Sequence, residues 1–162
     1  MKKIILVRHG KAEDETSDFS DFERSLTAKG KFVSTQMAGR LMQKEKSPGV
    51  LISSPAFRAL ETALIFARGF GIDADKIILN SNIYFKMSYR ILPDIISTID
   101  EATDTVTMFG HNPSFTEIAD NLSKEGCDSI PKTGIICISF KIIAWSDLGR
   151  KKGKIEYFLK PE

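Results

Sequence analysis

The chain is poor in the residues that usually announce a chemistry. Its 162 residues hold two cysteines, two histidines and one tryptophan. Cys127 and Cys137 form no Cys-x-x-Cys pair, which gives a structural zinc site little support. They are expected to be free thiols of a reducing compartment. Long apolar runs are missing too. None approaches the ~20 residues that a bilayer span needs. The run Ile4 to Val7 is too short for a signal-peptide core and is interrupted by Arg8-His9. A cytoplasmic protein with no membrane partner is the expectation. Neither sign of charge dominates: Lys plus Arg is 23, Asp plus Glu is 21, and the net charge is +2. That surplus is too small to suggest a nucleic-acid partner. Repeats, low-complexity tracts and linkers are absent from the sequence. At roughly 150 residues per domain, 1–162 reads as a single domain.

What is present is an alternation of strands and helices, the pattern of a layered α/β domain with a mainly parallel sheet. Ile4, Ile5, Leu6 and Val7 run without alternation, as in a strand buried on both faces. Strands are further predicted at Val50–Ser53, Lys76–Leu79 and Thr105–Gly110. Thr27 caps a predicted helix to about Lys44, with Val33, Met37 and Leu41 on its apolar edge. Ser54-Pro55 is read as the cap and first position of a second helix, with Leu60, Ala63, Leu64 and Ala67 inward. A helix is expected within Tyr89–Asp100, near Pro93. Another opens at Pro113, with Phe115, Ile118, Ala119 and Leu122 inward. Gly134–Ile143 and Lys154–Leu159, joined without a crossover helix, are expected to be an antiparallel pair at a sheet edge. The stretch from Lys11 to Arg24 is polar and acidic, with Phe19 and Phe22 in it. It reads as a long surface loop, solvated or poised beside a site.

Both histidines fall at the same kind of place. His9 follows the first strand in Arg8-His9-Gly10, and His111 follows a later one in Gly110-His111-Asn112-Pro113. Open α/β sheets bind ligands outside the carboxyl ends of their strands, so the two imidazoles are expected to share a site. Arg8 stands at the end of a buried strand, where an unpaired guanidinium would be costly. Arg58 lies in the first turn of a helix, where a cation is unfavourable unless an anion offsets it. Together these four residues suggest a pocket for a phosphate.

Arg8-His9-Gly10 resembles the signature of the histidine phosphatase superfamily, the phosphoglycerate-mutase-like enzymes. Ser20-Asp21-Phe22-Glu23-Arg24-Ser25-Leu26-Thr27-Ala28-Lys29-Gly30 is similar to the Asp-x-x-Arg-Pro-Leu-Thr-x-x-Gly stretch of the small SixA-type phosphohistidine phosphatases. Ser53-Ser54-Pro55-Ala56-Phe57-Arg58-Ala59, Gly110-His111-Asn112-Pro113 and Pro131-Lys132-Thr133-Gly134 also resemble their segments. The resemblance implies a three-layer α/β/α sandwich with a mainly parallel central sheet, an antiparallel edge and no large cap domain. It implies that His9 attacks phosphorus and that water then releases phosphate. Arg8, Arg58 and a protonated His111 would hold the phosphoryl oxygens, with positioning and electrostatics supplying most of the catalysis. Arg24 would approach the bound phosphate or pair with Asp21 or Glu23 on its loop. No metal and no cofactor are implied, since arginine and histidine take the cation's place.

Larger members of that superfamily protonate the leaving group with a carboxylic acid on an insertion. Here the matching stretch, Asn80 to Met87, holds no Asp or Glu. An alkoxide leaves poorly without a proton donor, whereas a phosphoramidate protonated on its own imidazole leaves as a neutral ring. The expected partner is therefore a phosphorylated protein, such as a histidine phosphotransfer or carrier domain. Glu13 or Asp14 could still supply an acid. Rival readings are a phosphatase of a small phosphorylated metabolite, a non-catalytic phosphate-binding module, and a metal site built from both histidines, which the cationic pocket disfavours.

Overall fold

A computed structural model describes residues 1–85 and 87–162. In chain order the elements are β1 (Lys2–Arg8), α1 (Ala28–Lys44), β2 (Val50–Ser53), α2 (Phe57–Gly69), β3 (Ile78–Leu79), α3 (Asn82–Phe85), α4 (Leu92–Ile96), β4 (Thr105–Gly110), α5 (Ser114–Leu122), β5 (Ile135–Phe140) and β6 (Lys154–Leu159). The strands form one mixed sheet in the order β3-β2-β4-β1-β5-β6. Its β3/β2, β2/β4 and β4/β1 pairs are parallel, and its β1/β5 and β5/β6 pairs antiparallel.

The period of two along β1 sorts its side chains between two cores. Ile4 and Leu6 join Val106, Met108, Ile136 and Ile138 beneath α4 and α5. Ile5 and Val7 join Leu51, Phe109 and Ile135 beneath α1 and α2. Ile4, Ile5, Leu6 and Val7 have no exposed surface. The result is a three-layer α/β/α arrangement, with β1 at its centre and the antiparallel edge at β5 and β6.

Thr27 accepts a hydrogen bond from Gly30 N at 3.0 Å and starts α1, which ends at Lys44. Helix α2 starts later than the sequence suggests. Ser54 spends its hydroxyl on Ala56 N (3.2 Å) inside a turn, and the helix begins at Phe57. Its inward face is Arg58, Ala59, Thr62, Ala63, Phe66 and Ala67. Leu64, expected inward, is exposed. The short α3 carries Tyr84 and is not foreshadowed by any periodicity.

Opposite the carboxyl ends of the parallel strands, Lys2 is buried. Its ammonium donates to Glu101 O (2.6 Å) and Thr103 O (2.9 Å), pairs with Asp104 (3.1 Å), and lies 5.5 Å from the Trp145 ring. Trp145 Nε1 donates to Thr103 O at 2.9 Å. This cluster closes the pole of the sheet remote from the histidines.

Candidate active site

The parallel register sets β1 beside β4, with Arg8 opposite Gly110. The residues immediately following, His9 and His111, are therefore neighbours. Their ring centroids are 5.2 Å apart. From the other side of β4, β2 delivers Ser54 and the turn into α2, whose first turn carries Arg58. Arg58 Nε donates to His9 Nε2 at 3.3 Å. His9 and Arg58 are 8% and 6% exposed. Residues 49 positions apart in the chain thus meet at the carboxyl edge of the sheet.

His9 has one nitrogen on a carbonyl and the other turned to Arg58. Its Nδ1 lies 2.7 Å from Gly10 O, and since a carbonyl only accepts, the proton sits on Nδ1. The lone pair is then on Nε2. Burial, followed by the positive neighbours, pushes the ring's pKa down to about 3. The ring is neutral at physiological pH, the state in which an imidazole is a nucleophile.

The backbone around His9 is pinned as firmly as the ring. His9 N donates to Gly110 O at 3.0 Å and Gly10 N to the Thr62 hydroxyl at 3.1 Å. Thr133 N reaches both Arg8 O and His9 O at 3.1 Å. Thr133 adopts a φ of 59° to do so, a conformation uncommon outside glycine. A strained residue pinning the backbone of a buried histidine is a pattern of functional sites.

His111 Nε2 lies 2.8 Å from the buried Ser54 hydroxyl, and its Nδ1 is buried without a partner. Burial first, then Arg58, pushes its pKa down to about 4. The ring is therefore neutral near physiological pH, with a single N–H. Arg8 donates from Nη1 to Ile130 O at 2.9 Å, a carbonyl that also accepts from Asn112 Nδ2 at 3.0 Å. Its Nε is buried without a partner. Arg8 Nε and His111 Nδ1 are thus buried polar groups with no hydrogen-bond partner among the described residues.

Arg24 is placed on its loop, where Nη1 pairs with Asp21 at 2.9 Å and Nε donates to Glu13 O at 2.6 Å. Asp21 itself is the residue that sequence reasoning undervalued. Its backbone oxygen accepts from Arg58 Nη1 at 2.7 Å and its Oδ2 from Arg58 Nη2 at 3.0 Å. Tyr84 donates to the same Oδ2 at 2.6 Å. The Tyr84 hydroxyl, followed by the two arginines, holds the Asp21 carboxyl well below the usual carboxylate range. The Tyr84 ring packs edge-on against His111 at 5.4 Å and against Phe22 at 5.3 Å. Only the Asp-x-x-Arg spacing hinted at Asp21, and nothing in the sequence hinted at Tyr84. Glu13 meets Arg24 through its backbone, and Asp14 is exposed. Lys86, within the acid-free stretch, lies outside the described residues. Among the described residues, no group of three or more His, Cys, Asp or Glu could hold a metal ion.

The arrangement sets a neutral imidazole nitrogen against one guanidinium and beside a second imidazole, with the Arg8 charge near enough to act on both rings, which suits a tetrahedral oxyanion. Comparison with known proteins agrees in fold. The protein histidine phosphatase SixA complexed with tungstate aligns with a TM-score of 0.81 at 18% identity, covering 98% of this chain and 97% of that one. A protein assigned as phosphohistidine phosphatase SixA from Agrobacterium tumefaciens aligns with a TM-score of 0.81 at 21% identity, covering 99% of each chain. A mycobacterial glucosyl-3-phosphoglycerate phosphatase aligns with a TM-score of 0.70 at 11% identity, covering 97% of this chain and 98% of that one. No curated protein sequence matches the chain. Residues 4–78, which span β1 through the start of β3 and include His9 and Arg58, match the family model described as histidine phosphatase superfamily (branch 1). Over residues 4–78, a little under half of its length, the chain matches the histidine phosphatase superfamily, and over nearly its whole length it shares the fold of these solved structures.

Proposed function

We propose that this protein is a phosphatase that works through a phosphohistidine intermediate on His9 and removes phosphate from phosphohistidine in a protein. The observation that carries the reading is the approach of Arg58 Nε to the lone-pair nitrogen of His9, at 3.3 Å, with the other nitrogen anchored on Gly10 O. In the first step the His9 Nε2–phosphorus bond forms as the bond from phosphorus to the substrate's imidazole nitrogen breaks. The leaving imidazole carries its own proton and departs neutral. In the second step water attacks phosphorus, the His9–phosphorus bond breaks, and orthophosphate leaves with His9 restored. Arg8, Arg58 and His111 hold the equatorial oxygens, with Arg8 Nε and His111 Nδ1 as the groups free to do so. No step is assigned to a cofactor.

The finer claim, phosphohistidine rather than an alkyl ester, rests on the carboxylates. Asp21 is the one hydrogen-bonded into the arginine cluster, and it is held ionised, so it donates no proton near neutral pH. A substrate needing an external acid is badly served here. The matched structures include both SixA proteins and a sugar-phosphate phosphatase, so a small phosphorylated metabolite is the second reading. The test compares turnover of a phosphorylated histidine-containing carrier domain with that of a simple alkyl phosphate, using His9→Ala as control. Preferential release from the phosphohistidine protein, with ³²P trapped on His9 under non-acid quench, is expected. Strong preference for the alkyl ester overturns the substrate assignment, and full activity in His9→Ala overturns the mechanism.

A further inference from the structure

We propose that Asp21 is a positioning residue that turns the Arg58 guanidinium so that one edge faces the phosphoryl group. The inference rests on the phosphatase reading above. A guanidinium has two edges able to make paired hydrogen bonds, Nη1/Nη2 at its end and Nε/Nη2 at its side. Asp21 takes the end edge completely, its backbone oxygen on Nη1 at 2.7 Å and its carboxylate on Nη2 at 3.0 Å. The side edge is what remains, and its Nε already points at His9 Nε2. Rotation of the plane would break two charge-assisted bonds, so the edge is aimed before any substrate arrives.

Asp21 is itself braced. It sits in a short 3₁₀ turn, Asp21–Glu23, within a loop whose ends are drawn together by Glu13 N on Ser25 O at 2.8 Å. Arg24 holds its Oδ1 and Tyr84 its Oδ2. The loop and α3 thus converge on one carboxylate whose product is the orientation of a residue from α2. Preorganised donors of this kind raise the rate rather than ground-state affinity. Plain electrostatics makes the opposite demand: removing a negative charge beside a phosphate pocket tightens phosphate binding. The two effects can therefore be separated.

The experiment compares wild type, Asp21→Asn, Arg58→Lys and the double variant. Readouts are p-nitrophenyl phosphate turnover, inhibition by inorganic phosphate, and vanadate affinity by calorimetry. Asp21→Asn is expected to lower kcat at least tenfold and to weaken vanadate binding similarly, with phosphate inhibition unchanged or tighter. In the Arg58→Lys background, where no planar edge remains to aim, Asp21→Asn is expected to change either quantity less than twofold. Tyr84→Phe removes one brace and is expected to give a smaller loss of the same kind, which keeps the test open if Asp21→Asn folds poorly. Equal losses in both backgrounds, or an unchanged kcat in Asp21→Asn, overturn the assignment. If wild type neither turns over the ester nor labels His9, the phosphatase reading fails, and the vanadate cycle alone still decides whether Asp21 acts through Arg58.

Discussion

Acidification should destabilise this protein well above the pH at which carboxylates titrate, because two rings are held neutral by the fold. His9 and His111 are pushed down to about 3 and about 4, while in the unfolded chain both return to roughly 6.5. Below that value the unfolded chain binds more protons than the folded one, so stability falls as pH falls. The loss starts near pH 6.5 and continues until the folded values are reached. One pH unit of such a difference is worth ~1.36 kcal/mol. Between pH 8 and pH 5 the pair withdraws about 4 kcal/mol, close to half from each ring. That is a large part of a typical domain's total of roughly 5–15 kcal/mol. Asp21, whose folded value is depressed, adds a loss of its own only below its ordinary range near 3.8, so the window between pH 8 and pH 5 is free of it. The assay is urea unfolding at pH 8, 7, 6 and 5 for wild type and for His111→Asn, which removes one ring and should shrink the drop to about 2 kcal/mol. A wild-type drop under ~1 kcal/mol, or an equal drop in the variant, refutes the claim that burial keeps these rings neutral. Titration of the ring protons near pH 6.5 in an NMR series refutes it independently.

Three further outcomes follow from packing and hydrogen bonding. Ser54→Ala removes the hydroxyl 2.8 Å from His111 Nε2; leaving that buried nitrogen unpaired should cost ~1–3 kcal/mol and lower turnover, read by thermal melts and steady-state kinetics. In Gly110→Ala the new methyl would meet the Phe115 ring at 2.5 and 2.7 Å and Ile83 at 2.9 Å. Overpacking of this sort should cost about 1–3 kcal/mol in denaturant unfolding, and should displace α3 and the Tyr84 it carries. Thr27→Ala deletes the α1 cap and should cost ~1 kcal/mol in urea unfolding, with kcat unchanged.

The sequence carried the frame of this fold because the frame is local. A continuous apolar run marked β1, short apolar stretches marked β2 and β4, and Thr27 and the Pro113 segment marked the starts of α1 and α5. The two histidines were visible because strand ends are visible. The inner face of α2 was harder to read for a physical reason. Thr62 is buried there, spending its hydroxyl on Arg58 O at 2.7 Å while accepting from Gly10 N. A polar residue on the inward face broke the apolar stripe and shifted it onto Leu64. Ser54-Pro55 looked like a helix cap because serine and proline favour that role, yet the serine serves a turn and His111 instead. The Asp21–Arg58–Tyr84 junction was illegible because it joins a polar loop, a helix and a four-residue helical turn that no periodicity connects.

The placement of Trp145 decides which spectroscopy can follow this molecule. The chain's one tryptophan stacks near Lys2, where β1 begins, while His9 follows the strand's far end. At about 3.3 Å per strand residue, the length of β1 separates the indole from the histidine pole. Intrinsic fluorescence excited at the indole will report global unfolding with full amplitude. It will stay silent when an oxyanion docks, and a chromophore introduced at Phe22 or Phe57 is the better optical reporter of occupancy.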